Sequence, residues 1–158
     1  MSQSVRKPSG AARFLGIVAI YAIPGPLIGA FGVNVLFTAY ALGTEVPNGD
    51  TAALARLFWG GLVVGTMIAS IIAYAFGVVS AVGVGLAVAI GDRRRGAISG
   101  KTALMAALVL WLLTALAVLL MVPAETQLVW AGMLLVGHLL AATLCTWIAR
   151  RLFARRGR

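Results

Sequence analysis

Four uncharged runs decide what this chain can fold into. Phe14 to Thr44, Leu57 to Gly91, Thr102 to Val122 and Thr126 to Ala149 contain no Asp, Glu, Lys or Arg. Each is at least as long as the roughly 20 residues that cross a ~30 Å hydrocarbon core as a helix. Inside hydrocarbon every backbone N–H and C=O needs a partner within the protein, and a helix supplies one along its own length. The reading is an all-α integral membrane four-helix bundle: a single transmembrane domain over residues 1–158, with spans at about 14–43, 57–90, 102–122 and 126–149. The 61% hydrophobic composition and mean hydropathy of +1.01 leave no room for a separate soluble core.

The runs differ in how well they fit a bilayer. The third has 21 residues, eight of them Leu, and needs no adjustment. The second has 35 residues, about 50 Å as a straight helix at ~1.5 Å per residue. Tilt and a kink or break between Gly77 and Gly85 are expected to absorb the excess. The first carries Pro24 and Pro26, which remove backbone donors and predict a kink there. "PAE" alone joins the last two runs, making them antiparallel neighbours.

Charge sets the orientation. Arg6, Lys7 and Arg13 precede the first run, Arg93, Arg94, Arg95 and Lys101 separate the second and third, and Arg150, Arg151, Arg155, Arg156 and Arg158 follow the fourth. Twelve of the 13 basic residues therefore share one side, while Arg56 faces Glu45, Asp50 and Glu125 on the other. By the positive-inside rule both termini are cytoplasmic (N-in, C-in). The formal charge of +9 is thus topological, and nucleic acid is not an implied partner. Anionic lipid headgroups are, with Arg93, Arg94, Arg95, Arg150 and Arg151 as the residues to meet them. The tail "ARRLFARRGR" reads as an interfacial helix with Leu152 and Phe153 toward lipid. Tyr40, Trp59, Trp130 and Trp147 fall near the ends of spans, as interfacial rings do.

At the amino terminus, basic residues before an apolar run resemble a secretory signal, with Ala39-Tyr40-Ala41 as a loose cleavage site. The run is about twice the usual apolar length, so a retained first helix is expected. "MSQSVRKPSG" reads as a polar, mobile start. Pro47-Asn48-Gly49-Asp50 is a turn signal, with Asp50 placed to cap a helix beginning near Thr51. Cys145, the single cysteine, permits no intrachain disulfide and is expected to stay reduced.

Gly61, Gly65, Ala69, Ala73, Gly77, Ala81, Gly85 and Ala89 recur every four residues in the second span. Small residues at that interval admit a close neighbouring backbone. A four-residue step turns a straight α-helix by 400°, so the stripe drifts ~40° per step and successive stretches are expected to meet different neighbours. Gly25, Gly29 and Gly32 accompany the prolines of the first span.

The polar residues within the runs are the functional candidates: His138, Trp111, Asn34 and Tyr74, with Thr38 and Ser70. One histidine cannot supply two axial haem ligands within the chain; Met ligation or pairing across a homodimer stays open. Catalytic zinc wants three protein ligands, and none accompany His138. Neither a cofactor nor an enzyme's constellation of nucleophile, base and orienting group is read here. "RRRGAISGKT" lacks the spacing and preceding strand of a phosphate-binding loop; Ser99 or Gly100 there reads as a helix cap. The expected role for His138 is a hydrogen bond from the Trp111 indole, tying spans three and four together; ligand contact and pH sensing are the alternatives.

The segments "IPGPLIGA" and "YAFGVVSAVGVGL" resemble those of uncharacterised small four-span inner-membrane proteins of alphaproteobacteria. The resemblance covers spans one and two and implies four helices in a bacterial inner membrane. The expected role is that of a structural or accessory membrane component acting through helix packing, in a homo-oligomer or a larger membrane complex. The alternative is a small oligomeric channel or carrier, which requires Asn34, Thr38, Ser70, Tyr74 and His138 to converge on one cavity.

Overall fold

A computed structural model describes residues 10–154. The polar start and Arg155, Arg156 and Arg158 of the tail lie outside the described residues, so the expectations placed on them have no structural counterpart. Four helical stretches are long and apolar enough to cross a membrane: Gly10–Glu45, Thr51–Arg95, Gly100–Leu119 and Ala124–Phe153. No strand occurs among the described residues.

Span one is two helices in series, α1 (Gly10–Ala22) and α2 (Pro24–Glu45), with Ile23 between them. A residue preceding proline is disfavoured in the α conformation, yet Ile23 keeps it, at φ −88° and ψ −67°, with its N–H on the Ala19 carbonyl at 3.0 Å, and Pro24 opens α2 directly after it. A turn with Gly49 at φ +70° follows. The Asp50 carboxylate then accepts from the N–H groups of Ala52 and Ala53 at 2.9 and 3.0 Å, starting α3 (Thr51–Trp59) as the sequence predicts.

Span two continues through a π-helical turn (Gly60–Gly65), α4 (Thr66–Ile72), a second π-helical turn (Ala73–Gly77) and α5 (Val78–Arg95). The irregularity predicted between Gly77 and Gly85 is therefore displaced. The second π turn reaches Gly77, the first residue of that interval, and from Val78 on the Gly-rich segment is regular α-helix. In that helical part Gly83 packs against Leu110 and Gly85 against Val18 and Tyr21.

Gly96 at φ +69° ends α5, its N–H returning to the Asp92 carbonyl at 2.7 Å. Ser99 caps α6 (Gly100–Leu119). Gln127 closes the far end of that helix, its amide donating to the Leu119 carbonyl at 2.9 Å as α7 (Gln127–Ala154) begins.

At the basic end the helices form a closed ring, α1 on α5, α5 on α6, α6 on α7 and α7 on α1. The core sits there and is made largely of small side chains: Ala89, Ala103, Ala107, Ala142, Cys145 and Ala149 beside Ile17, Tyr21 and Val88. Away from that end, residues 51–77 of span two pack against α2, and none of them is fully buried. Their outer face carries Met67, Ile68, Ile71, Ile72 and Phe76, with Phe76 78% exposed. Exposed apolar surface on this scale requires an apolar surrounding, which a bilayer provides.

Candidate functional site

Four of the stripe's eight positions, spread along its length, meet the same partner. Gly61 lies against Thr38, Gly65 against Asn34, Ala81 against Gly25, and Gly85 against Val18 and Tyr21, all of them in span one. All eight positions from Gly61 to Ala89 are buried or half-buried. The expectation that successive stretches meet different neighbours rested on a straight α-helix, and the π turns correct it. Seven steps of ~40° would carry the stripe ~280° around an ideal helix. Each π turn accommodates about one extra residue, taking back ~100°. Two of them cancel ~200°, and the stripe stays facing span one.

The polar side chains stand where the backbone departs from α geometry. Asn34 donates to the Gly61 carbonyl and to Thr66 Oγ1, both at 2.8 Å, and so holds the first π turn. Tyr74, within the second π turn, donates its hydroxyl to the Ile23 carbonyl at the joint of α1 and α2 at 2.6 Å. The irregular points of the two spans are thus fastened to each other. At membrane depth, non-helical backbone persists only where the protein satisfies it. Thr38 is buried beside Gly61 with its hydroxyl unpartnered. Ser70 donates to the Thr66 carbonyl of its own helix at 2.7 Å.

His138 and Trp111 do not pair, which corrects the predicted bond. The indole Nε1 donates instead to the Ala131 carbonyl at 3.0 Å. Ala131 lies seven residues before His138, about 10 Å along the helix, so the two rings sit at different depths. Trp111 still ties α6 to α7, through the backbone. The imidazole bridges to span two: Nδ1 lies 2.8 Å from the Leu134 carbonyl and Nε2 3.2 Å from Ser80 Oγ. Since a carbonyl only accepts, Nδ1 carries the proton, and in the neutral ring Nε2 accepts from the Ser80 hydroxyl. Asn34, Thr38 and Ser70 therefore gather around Gly61 and Thr66, whereas Tyr74 and His138 reach Ile23 and Ser80 elsewhere, so the five side chains do not share one set of neighbours.

Several contacts escaped sequence reading. Gly137, next to His138, meets the Gly29 backbone: a Cβ added there would lie 3.1 Å from the Gly29 carbonyl oxygen. The glycines of span one thus serve packing on span four as well as on span two, and Gly25 faces both Ala81 and the buried Cys145. Tyr21 and Thr146 share a 2.6 Å hydrogen bond in the core.

At the basic end Arg13 grips Asp92 with two bonds, Nε to Oδ2 at 2.7 Å and Nη2 to Oδ1 at 2.9 Å. The same guanidinium donates to the Phe153 carbonyl at 3.5 Å and lies over that ring. The signal was present, because Asp92 is the one acid of four that lies among the basic clusters. Phe153 itself packs against Gly16, so of the two tail residues predicted to face lipid only Leu152 is exposed; a ring that completes the α1–α7 contact cannot also turn outward. Arg150 donates to the Ile98 carbonyl at 3.0 Å, and Arg151 lies over the exposed Trp147 ring. Arg93 lies over Phe14. Arg94 and Arg95 are exposed on the last turn of α5.

Comparison of the chain with models of known protein families, with curated proteins and with solved structures gives no match.

Proposed function

We propose that this chain is a noncatalytic structural or accessory component of a bacterial inner membrane, working through helix packing inside a larger assembly, with both termini cytoplasmic. One observation carries the reading. The polar side chains within the spans are used as fasteners between particular helices, Asn34 and Tyr74 between spans one and two, His138 between spans two and four, Trp111 between three and four. A channel or carrier needs such groups free to face a common path. The small-residue stripe is likewise occupied within the chain. The surface assigned to a partner is the outer face of residues 51–77, one of several exposed apolar faces, where Met67, Ile71 and Phe76 project away from the bundle. The bacterial inner membrane rests on the resemblance of spans one and two, and the orientation on the twelve basic residues at one end.

Purification of the full chain from native membranes in mild detergent, with mass measurement of the complex, tests the reading. A second protein at fixed stoichiometry, released by Ile71→Ser and Phe76→Ser together, is the expected result. A homo-oligomer alone that passes ions or solutes in liposomes would establish the channel or carrier instead.

A further inference from the structure

Between α5 and α6 at the basic end lies a groove of about 620 Å³. We infer that it holds one anionic phospholipid, the headgroup phosphate between Arg95 and Lys101 and one acyl chain along the groove floor. This deepens the reading of the basic clusters as headgroup contacts by naming one built site among them.

The floor is lined by small residues, Gly83 and Ala87, with Met105 and Val109 on the bank toward the bilayer. From Gly83 to Arg95 is twelve residues, about 18 Å at ~1.5 Å per residue. That is slightly more than half of a ~30 Å hydrocarbon core, the length of one leaflet's acyl chain. The charges sit at the end where a headgroup would be, and nothing charged lines the rest. Arg95 is held there rather than left to swing: its Nη2 donates to Thr102 Oγ1 at 2.8 Å, across the mouth of the groove. Lys101 and Thr102 belong to the first turn of α6, which adds the positive end of a 20-residue helix. Two positive side chains and a helix terminus at one end of a shallow, open apolar groove one leaflet long match an anionic lipid in both charge and length. A zwitterionic lipid matches the length alone.

Native mass spectrometry of the full chain released from mixed micelles of phosphatidylglycerol and phosphatidylcholine tests the site. Wild type is expected to retain phosphatidylglycerol preferentially. Arg95→Gln with Lys101→Gln should lower that retention by about 25-fold, roughly fivefold per charge, whereas Arg93→Gln with Arg94→Gln, which removes headgroup attraction outside the groove, should lower it several times less. Ala87→Phe, which fills the slot and keeps the charges, should lower retention of both lipids. Equal losses in the two arginine and lysine variants would overturn the site while leaving diffuse headgroup attraction standing. No loss in either would remove both. Displacement of the lipid by millimolar inorganic phosphate, or full retention in Ala87→Phe, would show that the slot does not hold the acyl chain. The charge variants decide the matter even if Ala87→Phe fails to fold.

Discussion

Replacing Gly85 by valine should separate spans one and two where that residue lies against the span-one backbone. A Cβ there would lie 3.0 Å from the Tyr21 Cβ and 3.2 Å from the Val18 Cα. The second of these is backbone, so no rotamer change relieves it, and valine adds two methyl groups beyond the Cβ. Overpacking of this kind costs about 1–3 kcal/mol. Removing a glycine from a helix returns a few tenths of a kcal/mol when valine replaces it, leaving a net loss of about 0.5–2.5 kcal/mol. Gly77 belongs to the same stripe but is open: a Cβ there meets only the Ala73 Cβ of its own helix, at 4.0 Å. Gly77→Ala should therefore be neutral, or stabilise by up to ~1 kcal/mol. Unfolding of both variants in mixed detergent micelles, followed by circular dichroism and tryptophan fluorescence, measures the difference. A Gly85→Val protein as stable as wild type would refute the close contact, and so would an equal loss in Gly77→Ala.

Two further outcomes follow from the polar fasteners. Asn34→Ala leaves the Gly61 carbonyl and Thr66 without their partner and should cost about 0.6–2 kcal/mol; in the same unfolding assay, a Thr66→Ala change made on top should add less than its effect alone. Arg13 and Asp92 form a charged, doubly hydrogen-bonded pair whose carboxylate is buried while the guanidinium is 34% exposed. Solvent screening at that arginine lowers its worth, so Asp92→Asn should destabilise by about 1–2 kcal/mol, and a double-mutant cycle with Arg13→Gln should show coupling of the same sign.

The chain's apolar runs and its basic clusters made the number of spans legible, because hydrocarbon thickness and the placement of arginine are properties of composition along the chain. The Asp50 and Ser99 caps were legible because their chemistry is local. The π turns were not. A four-residue repeat reads as drift when the helix is taken as straight, and only a neighbour that supplies Asn34 and Tyr74 makes the non-α backbone affordable at depth. The same holds for His138 and Trp111. Their residue types marked them as needing partners, but which atoms they reach depends on the relative depth of α6 and α7, and the short connection between those helices does not fix it. Asp92 stands one residue beyond an uncharged run, and a lone acid among basic clusters is a signal of pairing. Gly137 could not be told from other small residues until the crossing of α2 and α7 placed it against Gly29.

Disulfide trapping in native membranes tests most directly the claim that the stripe keeps one partner along its length. In a Cys145→Ala background the chain has no thiol, and Gly61→Cys with Thr38→Cys marks one end of the seam, Ala81→Cys with Gly25→Cys the other. The Cβ separations, 3.3 and 3.4 Å, lie close to the ~3.5–4.5 Å of a disulfide. Both pairs should cross-link within a single chain under mild oxidation. Cross-linking of one pair with no reaction at the other would mean that the small-residue face turns away from span one, and the packing described here would be wrong.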